Sequence, residues 1–207
     1  DQVVCNGSST ANVIFSTVNT GGTTSYSWSN NTPAIGLAAS GTGNIPFFTA
    51  VNSGTDPVIA TITVTPEYTN NFVSCTGPSK TFTITVNPVA NVVDPSDQVV
   101  CNTDNTTAVT FTTTNGGGVS MVYNWTNSKP GIGLAASGTG DIADFTAENT
   151  GNSPVVAIIT VTPGLTFDGK TCTGPAQTFT ITVNPTAQVN DPADQVVCKG
   201  AMTAGVL

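Results

Sequence analysis

The pentapeptide Asp-Gln-Val-Val-Cys occurs three times, at Asp1–Cys5, Asp97–Cys101 and Asp194–Cys198. The spacings are 96 and 97 residues. A fixed period of that length belongs to whole domains in tandem, because solenoid units are shorter. It divides the chain into a first repeat at 1–90, a second at 91–190 and the start of a truncated third at 191–207. The reading is that of a piece from the middle of a longer secreted chain.

Within the first repeat the apolar residues alternate with Thr and Ser, the pattern of half-buried strands. Val58–Thr65 carries Val58, Ala60, Ile62 and Val64 on one face. Lys80–Asn87 carries Phe82, Ile84 and Val86 inward and threonines outward. Shorter strands are expected at Gln2–Cys5, Asn12–Thr17, Thr24–Ser29 and Phe47–Val51, with Pro66–Pro78 as a loop. The three glycines of Ile35–Asn44 suggest turns or a close backbone approach. The second repeat retraces this order: Tyr123 and Trp125 stand for Tyr26 and Trp28, and Val155–Thr162 and Gln177–Asn184 for the closing strands. Seven or so short strands with regular turn signals and no helical period predict an all-β chain. The expected architecture is tandem immunoglobulin-like antiparallel β-sandwiches arranged as a rod. Tyr26 and Trp28 read as core aromatics; the alternative is an exposed platform for stacking sugars.

Composition limits the partners. Four Lys and no Arg or His stand against twelve acids, a net charge of −8. Phosphate backbones and anionic bilayers need clustered cations, so neither nucleic acid nor a membrane surface is an expected partner. No run of about 20 apolar residues is present to span a bilayer.

Cys5 and Cys75 are 70 residues apart, and Cys101 and Cys172 are 71 apart. The period therefore suggests one bridge within each repeat, Cys5–Cys75 and Cys101–Cys172. Each would contribute roughly 4 kcal/mol in the chain-entropy model. Buried free thiols are the alternative. Cys198 is left over and is expected to be a free thiol. Disulfides imply an oxidising, extracellular setting.

No catalytic set recurs between the repeats. There is no His for general acid–base work and no Arg clamp, so no enzyme is expected. The acids that recur lie at the junctions: Asp94 and Asp97, then Asp191 and Asp194. Two readings apply. Asp-Pro makes a turn with solvated acids, or the acids hold Ca²⁺ and stiffen the junction. Calcium would make the melting temperature fall with chelator; no other cofactor is expected. The outward Thr ladders read as a soluble, β-favouring surface, or else as a glycosylated or ligand-contacting face.

Taken together, DQVVCN, YSW, IGLAASGTGNI, ITVTP and SCTGPSKTFTITVNP resemble the PKD-like repeats of giant cell-surface proteins of Bacteroidetes, in particular flavobacterial gliding-motility adhesins. The likeness covers both full repeats and the opening of the third. It departs from the better-known PKD domain in lacking Trp-x-Phe-Gly-Asp-Gly; Trp28 and Trp125 are followed by Ser-Asn and Thr-Asn. The resemblance implies type IX secretion, display as long filaments at the cell surface, and movement by an envelope motility machinery that engages other parts of the parent protein. The expectation is then a filament segment that is both spacer and adhesive surface. Its expected partners are neighbouring repeats and a substratum or surface polysaccharide. The alternatives are a polysaccharide-binding module, with Ile35–Asn44 as a contact loop, and stalk repeats of an extracellular enzyme.

Overall fold

The computed structural model describes residues 1–205. The first half holds β1 (Gln2–Cys5), β2 (Thr23–Asn30), β3 (Ser40–Thr42), β4 (Val58–Asn70), β5 (Val73–Thr76) and β6 (Lys80–Asn87). The second holds β7 (Gln98–Cys101), β8 (Ser120–Asn127), β9 (Ser137–Thr139), β10 (Val155–Phe167), β11 (Lys170–Thr173) and β12 (Gln177–Asn184). Short 3-10 turns at Pro33–Ile35 and Pro130–Ile132 are the only helical elements among the described residues. The result is an all-β chain with two six-stranded sheets of the same order, β1-β6-β4-β2-β3 and β7-β12-β10-β8-β9. β5 and β11 add to the far ends of β4 and β10.

Both sheets are mixed, where purely antiparallel ones are expected from the sequence. β1 pairs with β6 in parallel, Gln2 opposite Ile84 and Cys5 opposite Asn87, and β7 pairs with β12 in the same way. The long connection from β1 to β6 leaves ample chain for a crossover, which parallel pairing requires. Parallel edges send the entering and leaving chain to opposite ends of each sheet.

The recurrent pentapeptide builds this edge. Asp1 Oδ1 accepts the Thr83 N–H at 2.7 Å, and Asp97 accepts that of Thr180. The Gln2 side chain clamps the backbone of Ala11, donating to its carbonyl and accepting from its N–H. Gln98 grips Thr107 in the same way, and Gln195 grips Ala204.

The inward faces of β4 and β6 pack as the alternation predicts: Ala60, Ile62, Ile84 and Val86 are fully buried with Trp28, Ile35 and Ile45. The opposite layer is less regular than a second sheet. Asn12–Thr17 and Phe47–Val51, expected as strands, are extended segments held by the single bridges Val13–Ile45 and Ser9–Thr49. Side chains take the place of ladder partners there. Asn44 Oδ1 accepts the Phe15 N–H at 2.8 Å, and Asn12 Oδ1 accepts that of Phe47 at 2.6 Å.

The loop expected at Pro66–Pro78 is instead the outer half of β4 and the returning β5. Pro66 is tolerated because it lies between the pairing with β6, which ends at Val64, and that with β5, which begins at Glu67. No ladder N–H is required on that side.

Buried asparagines fix the loops. Asn149 donates to the carbonyls of Ser153 and Val183 and accepts the Gly151 N–H. Asn149→Ala strips partners from these backbone groups and is expected to cost about 3 kcal/mol. Urea denaturation of variant and parent measures it.

Candidate functional site

The place where the two sheets meet carries the only covalent cross-link and the densest polar contacts between them among the described residues. It has four parts.

The first is a disulfide. Cys5, at the end of β1, is bonded to Cys172 on β11, with Cα atoms 5.6 Å apart. The expected pairs Cys5–Cys75 and Cys101–Cys172 are therefore replaced by a bridge between repeats, and Cys75, Cys101 and Cys198 are exposed thiols. Strand register explains why. Cys5 lies opposite Asn87, next to the Val58–Val86 pair at the start of β4. Cys75 lies opposite Tyr68 near the other end of β4. Ten residues of strand separate the two levels, about 33 Å at the usual rise. A disulfide spans no more than about 7 Å between Cα atoms. The same register keeps Cys101 from Cys172. The first-strand cysteine of one repeat can reach only the hairpin cysteine of the next.

The second part is Asn87. Its side chain is fully buried and donates to the carbonyls of Phe167 and Lys170, both at 3.1 Å, across the hairpin of the second sheet.

The third part is the connecting segment 89–93. Ala90 is wholly buried, and Val92, 6% exposed, belongs to one cluster with Phe111 and Tyr123. The Val93 N–H donates to Thr112 O and the Asn91 N–H to Asn115 Oδ1, each at 2.8 Å. The Asn91 side-chain oxygen accepts from Thr113 Oγ1 and the Thr114 N–H. The segment lies flush on Gly174, where a Cβ would collide with the Ala90 carbonyl. Val92 and Val93 form a docked extension ahead of β7, and Val92 completes the core of the second sheet.

The fourth part is a loop contact. Thr55 O accepts from Asn115 Nδ2 at 3.1 Å and from the Gly116 N–H at 3.3 Å.

The other candidates fall elsewhere. Trp28, Trp125 and Tyr123 are buried and Tyr26 is half-buried, so they form no exposed stacking platform. Burial raises the Tyr123 phenol above its usual value; Thr113 opposes this and Asp141 adds to it. In the Ile35–Asn44 loop, Ile35 and Leu37 point into the core and Gly41 packs on the Trp28 ring. That is the close backbone approach its glycines suggest, and it leaves little side chain for a ligand.

The junction acids do not converge. Asp97 is engaged with Thr180, while Asp94, Asp191 and Asp194 are exposed, and no group of three potential ligands forms among the described residues. Residues 185–205 are without strand; within them the Gln195 clamp and the turn from Cys198 O to the Ala201 N–H repeat the opening of the earlier repeats. The remainder of the expected third opening, Val206 and Leu207, lies outside the described residues. No helix among the described residues is long and apolar enough to cross a membrane.

The docked segment was the element that sequence reasoning missed. Its signal was Ala90 and Val92 between two prolines, apolar residues that a purely solvated linker does not need. No protein-family model matches the chain, and no curated protein matches it significantly.

Proposed function

We propose that this chain is a non-enzymatic, load-bearing segment of a large cell-surface adhesin filament, its sandwich repeats arranged as a rod. The observation that carries the reading is the Cys5–Cys172 bond, a covalent tie from one sheet to the next in addition to the backbone. The parallel β1–β6 edge supports it. Tension between the start of β1 and the end of β6 shears these strands, loading their hydrogen bonds together instead of opening them one at a time. A structural disulfide fits an oxidising compartment outside the cytosol. Scarcity of Lys limits cleavage by trypsin-like proteases.

In the gliding-motility setting that the sequence resemblance suggests, such segments extend the filament between the cell and a substratum, and the motility machinery engages other parts of the parent protein. Burial of the strand aromatics favours the spacer role over a polysaccharide-binding module.

The test is adhesion of beads coated with the folded chain to bare and to polysaccharide-coated glass, with reduced and alkylated chain as control. A spacer leaves both coatings equally non-adhesive. Folded beads that hold to glass, with controls that do not, would make each repeat an adhesive surface. Attachment to the polysaccharide alone would overturn the spacer reading in favour of a carbohydrate-binding module.

A further inference from the structure

Asn-Gly occurs twice in the chain, at Asn6–Gly7 and Asn115–Gly116. Asparagine is thermolabile, and most so before glycine. With no Cβ to shield it, the glycine nitrogen reaches the asparagine amide carbon and closes a cyclic imide. The second of these dipeptides lies in the joint between the two sheets. There the first sheet and the docked segment hold both groups that would react.

The Gly116 N–H, the attacking nitrogen, donates to Thr55 O of the first sheet at 3.3 Å. The leaving nitrogen is Asn115 Nδ2, which donates to Thr55 O and to Val89 O, both at 3.1 Å. Asn115 Oδ1 accepts the Asn91 N–H at 2.8 Å and the Thr113 hydroxyl at 3.1 Å. Both residues are half-buried.

The close fit of the joint explains the glycine. A Cβ at position 116 would press on Asp56 Oδ1 at 2.7 Å, and one at 117 on the Pro57 ring at 2.8 Å. The turn alone does not call for it. Asn19 makes the same side-chain and backbone bonds with Thr17 that Asn115 makes with Thr113, yet Thr20 follows it. The contact that seals the joint thus leaves a bare glycine after Asn115, and the sealed joint protects the pair. A group that reacts only through a local opening is slowed by the equilibrium of that opening.

We propose that Asn115 is a deamidation site gated by this joint, so that its conversion records an opening. While the sheets are closed, the asparagine is kept. When the joint opens, Thr55, Val89 and Asn91 release both groups, and the glycines that follow let them meet. The product is aspartate or isoaspartate. Either lacks the donor that Thr55 O and Val89 O require and sets a carboxylate against these carbonyls. A joint that has opened and reacted therefore does not close as before.

The only reagent is water. The Gly116 nitrogen loses its proton and attacks Asn115 Cγ. The Cγ–Nδ2 bond breaks, and ammonia leaves carrying that proton, which gives a succinimide. Water then opens the ring. Attack at Cγ yields aspartate, and attack at the backbone carbonyl carbon yields isoaspartate. One water is consumed and one ammonia released, with no change in oxidation state.

The inference concerns the joint alone and does not rest on the adhesive reading; bead adhesion and Asn115 conversion can each fail without the other. The full chain is aged at neutral pH in three forms: oxidised, reduced, and reduced with Gly174→Ala, whose Cβ collides with the Ala90 carbonyl and unseats the docked segment. Peptide mass spectrometry reads the amide-to-acid shift at Asn115, and hydrogen exchange of the Gly116 amide reads opening. Asn6–Gly7 is the internal control, because Gly7 donates to Ala50 O and Asn6 Oδ1 accepts the Asn52 N–H within its own sheet. The expected result is conversion of Asn115 about tenfold faster or more in an opened form than in the oxidised chain, in step with Gly116 exchange, while Asn6 changes less than about threefold. Asn115→Asp in the oxidised chain raises Gly116 exchange about tenfold or more by itself. Equal conversion of Asn115 in all forms, an intact Asn115 beside a freely exchanging Gly116 amide, or a Gly116 amide protected in every form would each overturn the proposal. So would an Asn6 that rises as much as Asn115 in both opened forms, or an Asn115→Asp chain that exchanges like the parent.

Discussion

Pulled from its two ends, the oxidised chain should extend to only about a fifth of the contour length of the reduced chain. Tension entering at Asp1 travels five residues to Cys5, crosses the sulfur bridge to Cys172, and leaves through the thirty-six residues that end at Leu207. Once the sheets have unfolded, everything from Asn6 to Thr171 hangs in a closed loop that carries no load. At about 3.4 Å per extended residue the oxidised path is about 140 Å long. The reduced path through all 207 residues is about 700 Å. Single-molecule force spectroscopy with handles at the two termini, before and after reductant, reads the difference directly. An oxidised contour near the full length would mean that Cys5 and Cys172 are not joined, and the load-bearing reading would lose its main support. In the chain-entropy model the same closure contributes about 5 kcal/mol. That figure applies only if both sheets unfold together. Each has its own buried cluster, so reduction should loosen the joint before it melts either core.

How much of this was legible in the sequence depended on which kind of pattern carried it. β4, β6 and their copies were readable because one face is buried and the other wet, which imposes strict alternation. The recurrence of the pentapeptide was plain, but its meaning was not. Asp1 and Gln2 act through backbone groups of Thr83 and Ala11, and backbone partners leave no mark in a sequence.

The cysteine pairing failed for a sharper reason. A period fixes how far apart equivalent residues are, not which repeat supplies the partner. Cys5 with Cys75 and Cys5 with Cys172 both respect it. Only the parallel register, which sends Cys5 and the hairpin cysteine to opposite ends of a sheet, decides between them. The irregular layer escaped for a related reason. The apolar alternation of Asn12–Thr17 is genuine, but Asn44 and Asn12 side chains satisfy backbone groups that a ladder would otherwise claim.

The glycines of the Ile132–Asp141 loop give the second large effect. Gly138→Ala is expected to destabilise the second sheet by about 3 kcal/mol, the upper part of the range for overpacking a dense core. Gly138 pairs with Trp125 across β9 and β8, and a Cβ at that position would land within the indole ring. The ring cannot simply swing aside. It is buried among Phe111, Ile132 and Ile142, and its Nε1–H donates to Gly140 O at 3.1 Å. Displacing it would break that bond and open the cover of the sheet together.

Gly131→Ala is the matched control, because no atom lies within 4 Å of its added Cβ. It should stay within about 0.5 kcal/mol of the parent. Both substitutions are made in a Trp28→Phe background, so that Trp125 alone reports urea unfolding by fluorescence. A midpoint for Gly138→Ala equal to that of Gly131→Ala would show that the indole is not seated over β9. The loop would then be free to serve as a contact surface. The expected gap instead ties the loop to the core, where each repeat spends its glycines on packing its tryptophan.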